Sequence, residues 1–401
     1  MKIIIENNIN ELIKKEKILN NNEIILKLMI FLIFMAFIRT DIQIENSRNE
    51  NQNTNINQNI SNYINIAVNL DNKYIYPCIT FLTSLLSNRA NSTFYIIHML
   101  TQSDLNYDSY LKVNSVIKKF GKKYSNVSFY DMGNQFNRAT RGSYISKVAY
   151  YRIALPSLLP NVDKCIYMDT DVINFKDLSE MYNIDLNDSE YFCGILDFAN
   201  MKGELKKLGI VTQKYMNDGI ILMNLKAMRN NSIEKKLRKY VSSHFLNHHD
   251  QTAINAICHN NFKILPFKFA LLSSFNSAES LIKYNNQQNK KYRYDESELI
   301  QAFYHPTSIH YAGFVKPFQK EYKLANGVYW WYYAKKSGYY EEILKHYEFK
   351  KKKVETLLKK IYEELIEKNY KLKLINYFLS DCCLIIVFLI IIYISINYIY
   401  L

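Results

Sequence analysis

From about residue 63 onward the sequence predicts an α/β fold: a sheet flanked by helices, with a ligand site at the carboxyl ends of its strands. Three observations predict it. Short apolar runs of strand length alternate with longer segments whose apolar residues recur at helical spacing. Acidic residues stand just past two of those runs, Asp71 after the first and Asp169 and Asp171 after Lys164-Cys165-Ile166-Tyr167-Met168. In open α/β sheets such positions are where nucleotides bind. Finally, His310-Tyr311-Ala312-Gly313-Phe314-Val315-Lys316 offers an imidazole and an ammonium to go with the two carboxylates.

The elements follow in order. Ile64 to Leu70 reads as a buried strand. Tyr74 to Leu86 has helical spacing, with Pro77 tolerated in a first turn. Phe94 to Leu100 is a second strand, and Leu105 to Phe120 an amphipathic helix ending at Gly121. Val127 to Tyr130, Tyr191 to Leu196 and Gly219 to Met223 read as further strands. A helix starts near Asp250, a good N-cap, with Ala253, Ile254 and Ile257 on one face. Trp330-Trp331-Tyr332-Tyr333 reads as a packed helix closing the domain, and residues 341–371 as one long basic amphipathic helix.

The net charge of +14 raises the question of anionic partners. Much of the excess sits near the C-terminus, in Lys350-Lys351-Lys352-Lys353, Lys359-Lys360, Lys371 and Lys373. No basic face interleaved with stacking aromatics appears mid-chain, which argues against nucleic acid as a partner. The cysteines show no CxxC spacing; Cys78, Cys165, Cys193 and Cys258 sit among apolar residues, as buried free thiols do, and this fits a reducing compartment.

Both ends carry apolar segments. The run at 28–38 is too short to span a bilayer, and no small-x-small cleavage site follows it. Residues 41–61 read as a polar linker, so 1–62 forms an N-terminal extension. The domain proper covers 63–335, a basic helical region 336–373, and a hydrophobic segment 374–401 long enough to cross a membrane. Lysines precede that segment and none follow it, so the positive-inside rule leaves the domain on the cytoplasmic face, as at a bacterial inner membrane.

In an extended segment, residues i and i+2 point the same way, so Asp169 and Asp171 can present oxygen to one cation. Taken alone, the pair is also what a turn or a helix cap uses. A histidine from elsewhere could complete the set, and a lysine could neutralise a phosphate bridged by the metal. His248 and His249 resemble a metal pair, but adjacent residues at a helix start diverge, so a surface or capping role is expected.

Six blocks in order resemble glycosyltransferase family eight, which includes lipopolysaccharide galactosyl- and glucosyltransferases and glycogenin. They are Ile66 to Tyr74, Ala149 to Arg152, Tyr167 to Asp171, Met216 to Lys226, His249 to Asn255, and His310 to Phe318. The resemblance covers roughly residues 63–335. It implies a GT-A fold, a Rossmann-like mixed sheet that binds a nucleotide sugar. It also implies a manganese-dependent site (magnesium being the alternative), a UDP-hexose donor carrying glucose or galactose, a glycan or glycolipid acceptor, and transfer with retention. By position Asp169, Asp171 and His310 would bind the metal. Gly313 and Lys316 would hold the diphosphate, Asp71, Asn72 and Tyr74 would meet the uridine, with Tyr74 stacking on the base, and Asn69 and Thr170 would also bind the nucleotide. Arg152, Asp197, Asn217, Asp250 and Gln251 would line the donor sugar, with Gln251 beneath the anomeric carbon.

The sequence departs from that pattern in places. The family usually has a small residue where Asp218 stands. Asn69-Leu70-Asp71 replaces paired acids, and Phe318 replaces a tryptophan. Asp218 keeps a second reading open, a non-catalytic, membrane-tethered sugar-nucleotide binder or scaffold. A sugar-1-phosphate nucleotidyltransferase is disfavoured, because residues 70–80 lack its glycine-rich basic loop.

Overall fold

The structure is a computed structural model. It describes residues 60–359 apart from 138, 140–146, 199–205, 207–213, 247, 353 and 357. The apolar segments at 28–38 and 374–401 lie outside the described residues; among those described, no helix is long and apolar enough to cross a membrane.

A seven-stranded sheet runs in the order β3-β2-β1-β4-β7-β6-β8. Its strands are β1 (Asn62–Leu70), β2 (Thr93–Thr101), β3 (Ser125–Asp131), β4 (Lys164–Met168), β6 (Phe192–Leu196), β7 (Met216–Asn224) and β8 (Phe262–Ile264). The pairs β1–β2, β2–β3, β1–β4 and β6–β8 are parallel, while β7 runs antiparallel between β4 and β6. A smaller sheet has the order β5-β10-β9, built from β5 (Val172–Asn174), β9 (Leu271–Leu272) and β10 (Ser308–His310). The expected α/β sheet is therefore present, and it is mixed.

The longer helices among the described residues are α1 (Ile75–Ser87), α2 (Tyr107–Phe120), α3 (Leu225–Asn230), α4 (Ile233–Ser243), α5 (His249–Cys258), α6 (Ala278–Asn286), α7 (Glu296–Tyr304), α8 (Gly327–Ser337) and α9 (Tyr340–His346). Strand β1 is covered on both faces, with Ile64, Ile66, Ala67, Val68 and Leu70 fully buried. That is why it reads as a nearly continuous apolar run rather than an alternating one.

Helix α1 is buried almost all round, yet contains Thr80, Thr83 and Ser84. Their hydroxyls donate to the carbonyls of Tyr76, Ile79 and Phe81, which removes the cost of burying them. Ser84 also accepts from the Asn174 amide, and Asn88 donates to the Asn174 carbonyl. The end of α1 thus fixes β5, and β5 pairs with β10, so His310 stands opposite Val172.

Two expectations change. Strand β7 starts at Met216, three residues earlier than expected, so Asn217 and Asp218 sit in the strand rather than before it. The long helix expected over 341–371 is broken: α9 ends at His346, and Glu348 adopts a left-handed φ of 53°. The reason lies in aromatic packing. Tyr347 packs on Phe318 (ring centroids 4.8 Å) and Phe349 on Trp331 (4.7 Å). Residues two apart cannot face the same way on one helix, so docking both rings requires the chain to turn between them. Trp330 and Trp331 are buried as expected, and Trp331 Nε1 donates to the Pro317 carbonyl, tying α8 to the segment after Lys316.

Candidate active site

The order of the large sheet reverses at β1, and a cavity of about 1210 Å³ opens there, at the carboxyl ends of β1 and β4. Backbone bonds set three segments around it. The Asp169 amide donates to the Gly219 carbonyl at 2.8 Å and the Tyr311 amide to the Asp171 carbonyl at 3.0 Å.

Asp169, Asp171 and His310 converge, one ligand atom from each lying within 4.8 Å of the others. His310 Nε2 is 3.6 Å from Asp169 Oδ2 and 3.5 Å from Asp171 Oδ1. Each ligand atom is left over after its residue's other polar atom is engaged. Asp169 Oδ1 accepts from Tyr167 Oη and Arg152 Nη2, both at 2.9 Å. Asp171 Oδ2 is paired with Lys316 Nζ. Asp171 Oδ1 is buried with no hydrogen bond.

The histidine tautomer follows from its neighbour. Asn217 Oδ1 accepts from the Gly219 amide (3.2 Å), and Asn217 Nδ2 donates to Asp197 and Gln251. Asn217 Oδ1 therefore faces His310 Nδ1 (3.1 Å) as an acceptor, so Nδ1 carries the proton and the Nε2 lone pair faces the two aspartates. Two carboxylate oxygens, one of them buried and orphaned, and one imidazole nitrogen fit a divalent cation.

A cation here would compete with a proton, since the same two carboxylates favour charge on the imidazole. Burial pushes the Asp171 carboxyl up, but Lys316 and His310 outweigh it and hold the group well below the usual carboxylate range. Burial opposes charging His310, yet Asp171 and Asp169 overcome it and raise its pKa.

Gly219 makes the arrangement fit. A Cβ there would lie 2.0 Å from His310 Cε1 and 2.6 Å from both ring nitrogens. Glycine inside a strand often marks such a close approach. Gly219→Ala is expected to push the imidazole out of line and weaken divalent-metal affinity by about 10- to 100-fold, an effect typical of disturbed metal ligands. Titration calorimetry with manganese would measure it; unchanged affinity would show that His310 is not a ligand.

Behind the triad, Arg152 is buried and stacked on Tyr167, its guanidinium carbon 3.9 Å from the ring centroid. Nη2 meets Asp169 (2.9 Å), Nη1 meets Asp218 Oδ2 (3.3 Å) and Nε meets Asp250 (2.6 Å). One cation thus serves three carboxylates. Burial raises the pKa of both Asp218 and Asp250, more than Arg152 lowers it. Beside this cluster, Gln251 is held by both ends of its amide. Nε2 donates to Asp197 Oδ2 (3.2 Å), and Oε1 accepts from Asn217 Nδ2 (3.3 Å) and the Asp218 amide (3.4 Å).

At the other end, Asp71 caps a 3₁₀ turn over Asn72–Tyr74, its Oδ1 accepting from the amides of Lys73 and Tyr74 at 3.0 Å. Asn69, Asp71, Tyr74 and Thr170 line the cavity, and Asn69 Oδ1 is buried without a partner. Gly313 and Lys316 line it as well; Gly313 has a φ of 101°, a conformation that only glycine adopts at little cost.

Of the residues singled out from sequence, Asn72 alone does not line the cavity. Its side chain ties the turn to the loop before α2, donating to the Asp104 carbonyl and accepting from the Asn106 amide (both 2.8 Å). His248 is exposed and His249 is not at the surface, and both line the cavity. His249 is buried in the cavity wall, with a left-handed φ of 48° and no hydrogen bond to either ring nitrogen. Tyr167 and Gly219 escaped notice as site residues. The glycine inside an apolar strand run was the available signal for one of them; nothing in sequence marked the other.

A family model described as Glycosyl transferase family 8 matches residues 65–321, well over half of the chain. The chain belongs to that family. General stress protein A of Bacillus subtilis is 26% identical over 200 residues, covering 48% of this chain and 68% of that protein. Lipopolysaccharide 1,2-glucosyltransferase of Escherichia coli is 23% identical over 270 residues, covering 65% and 74%. The solved structure of the galactosyltransferase LgtC, in complex with donor and acceptor sugar analogues, has a TM-score of 0.57 at 19% identity, covering 68% of this chain and 96% of that one. The chain spans about two thirds or less of the length of the first curated relatives that it matches. Family 8 membership makes it a glycosyltransferase, with the mixed sheet of its structural neighbours and a buried Asp-Asp-His triad compatible with a divalent metal.

Proposed function

We propose that this family 8 glycosyltransferase moves a hexose, glucose or galactose, from UDP to a hydroxyl of a glycan or glycolipid, with retention of configuration and dependence on manganese. The observation that carries the proposal is the Asp169–Asp171–His310 triad. Its free ligand atoms face one another beside Lys316, at the mouth of a wall built by Arg152, Asp197, Asn217, Asp250 and Gln251.

Bound at the triad, a divalent cation would act as a Lewis acid toward the departing diphosphate. Lys316 would turn from Asp171 to a phosphate oxygen and oppose the charge growing there. Tyr74 would stack on the uracil, and Asn69 and Asp71 would offer polar atoms to the nucleoside. On the sugar side, Gln251 would lie beneath the anomeric carbon, held in place by Asp197 and Asn217. An amide is a poor nucleophile, so same-face substitution through a short-lived ion pair fits better than a covalent intermediate; carboxylates nearby stabilise the oxocarbenium character. A glycosyl adduct on Asp250 or Asp197, seen by mass spectrometry, would overturn this route.

The test is release of UDP from a panel of UDP-sugars, with manganese and with chelator, alongside calorimetry of UDP binding. Manganese-dependent release selective for glucose or galactose is the expected result. Manganese-dependent UDP binding without release, even with acceptor glycans supplied, would favour a non-catalytic binder. No UDP binding would remove both readings.

We place the protein at the cytoplasmic face of a bacterial inner membrane, anchored by residues 374–401 and serving lipid-linked acceptors of the lipopolysaccharide type. Deleting 374–401 is expected to move it to the soluble fraction. Retention on membranes would rule out that anchor.

A further inference from the structure

We propose that Asp218 is a specificity-determining residue for the donor sugar, selecting a neutral hexose with a free hydroxyl and rejecting uronic acids. The inference rests on the proposed function above and adds to it a residue that the family pattern does not assign.

The geometry begins with the strand. Asn217 sends its side chain to His310, Asp197 and Gln251. Asp218, next along β7, takes the other direction and reaches Arg152. It lines the cavity, is buried, and its Oδ2 makes no hydrogen bond of good geometry, like Oδ2 of Asp250. Two neighbouring carboxyl groups thus stand in the wall, held by Arg152 and by each other. Their remaining lone pairs could accept from hydroxyls on adjacent pyranose carbons.

Arg152 decides what cannot bind there. A lone arginine in a sugar site is a natural receptor for a uronate carboxylate. Here each of its three nitrogens is already engaged, Nε by Asp250, Nη1 by Asp218 and Nη2 by Asp169, and Tyr167 covers one face. Asp197 lies in the same wall. A uronate would bring its charge against an acidic wall in which Arg152 is already occupied. With a small residue at 218, Nη1 would lose its side-chain partner and could turn to the incoming carboxylate.

The experiment compares the full chain with Asp218→Ala and Asp218→Asn. It measures kcat/KM for UDP-glucose, UDP-galactose, UDP-glucuronate and UDP-galacturonate, with UDP binding by calorimetry in parallel. The wild type is expected to prefer a neutral donor by about 100-fold or more, since a buried polar group left unpaired discriminates strongly. Asp218→Ala is expected to lose roughly 10- to 100-fold on the neutral donor and to raise the uronate-to-neutral ratio by at least about 10-fold. Asp218→Asn keeps a hydrogen-bonding group, so it should recover part of the neutral-donor rate while still relaxing the exclusion. UDP lacks the transferred hexose, so its affinity should not change in either variant.

An unchanged ratio in variants that bind UDP normally would overturn the assignment and leave the proposed function standing. So would a wild type that turns over a uronate best. If Asp218→Ala fails to bind UDP while the wild type binds it, Asp218→Asn decides on the same ratio. If the wild type itself does not bind UDP, the reading of the function falls and this one with it.

Discussion

Asp171→Asn is expected to lower UDP release by about 1,000-fold or more, the scale on which removing a principal electrostatic stabiliser acts. The substitution keeps shape and volume but removes the charge from the one ligand oxygen that is buried without a hydrogen bond. Manganese-dependent UDP binding should disappear with it. Stability should change far less, because what is lost is the attraction of Asp171 to Lys316 and to His310, at about 1–3 kcal/mol for a charged hydrogen-bonded partner. The pH dependence has a definite sign. The folded-state pKa of Asp171 is depressed, so its contribution is fully present above the unfolded value of about 4 and is lost as pH falls through the folded value. The stability gap between wild type and variant should therefore be widest between about pH 4 and pH 6.5, closing at lower pH as Asp171 is protonated and narrowing at higher pH as His310, whose pKa Asp171 raises, loses its proton. Denaturant titrations with metal absent would measure it. A variant that keeps manganese-dependent turnover within 10-fold of wild type would show, on the scale given above, that Asp171 is not a principal ligand.

Arg152→Met should show the opposite balance, with stability suffering as heavily as activity. Three carboxylates, two of them buried, share this guanidinium. Removing one partner of a buried ion cluster typically costs about 3–5 kcal/mol, because the charges left behind are uncompensated. For a domain of this size that corresponds to a drop of roughly 10 °C in melting temperature. Burial already raises Asp218 and Asp250 in the wild type. Without Arg152 they rise further above their unfolded values, so the penalty is absent at pH below those values and grows as pH increases toward the folded ones. The deficit of Arg152→Met should then be larger at pH 8 than at pH 5. Arg152→Lys should rescue little, since one ammonium cannot reach three carboxylates at the angles a planar fork provides. A melting temperature within 2 °C of wild type at pH 8 would mean that the cluster carries far less charge than its geometry implies.

Much of the fold is visible along the chain because its signals are local. Strand β1 and helix α1 follow from an apolar run and from helical spacing, and both stand where the sequence puts them, within a residue or two. The break at Tyr347–Phe349 was not visible. Helical spacing continues through those residues, and what stops the helix is a pair of aromatic contacts to Phe318 and Trp331, distant in sequence. Strands β5, β9 and β10 are two or three residues long, too short for any period to register.

The candidate site divides in the same way. By itself the sequence determined the residue types and their order: the Asp-x-Asp pair after an apolar strand, the block from His310 to Lys316, Asp250-Gln251 at a helix start, and Asp218 where a small residue is usual. These are properties of neighbours in the chain, and strand and helix geometry turn neighbours into directions. Only the tertiary structure decided that His310 presents Nε2 rather than Nδ1, because Asn217 fixes the tautomer and Gly219 leaves room for the ring. Only the tertiary structure decided that Arg152 is saturated by Asp169, Asp218 and Asp250, and that His249 is buried while Asn72 turns away. The physical reason is common to all of these. Hydrogen bonds and Coulomb forces act over a few ångströms between groups tens of residues apart, and that proximity exists only once the sheet has assembled.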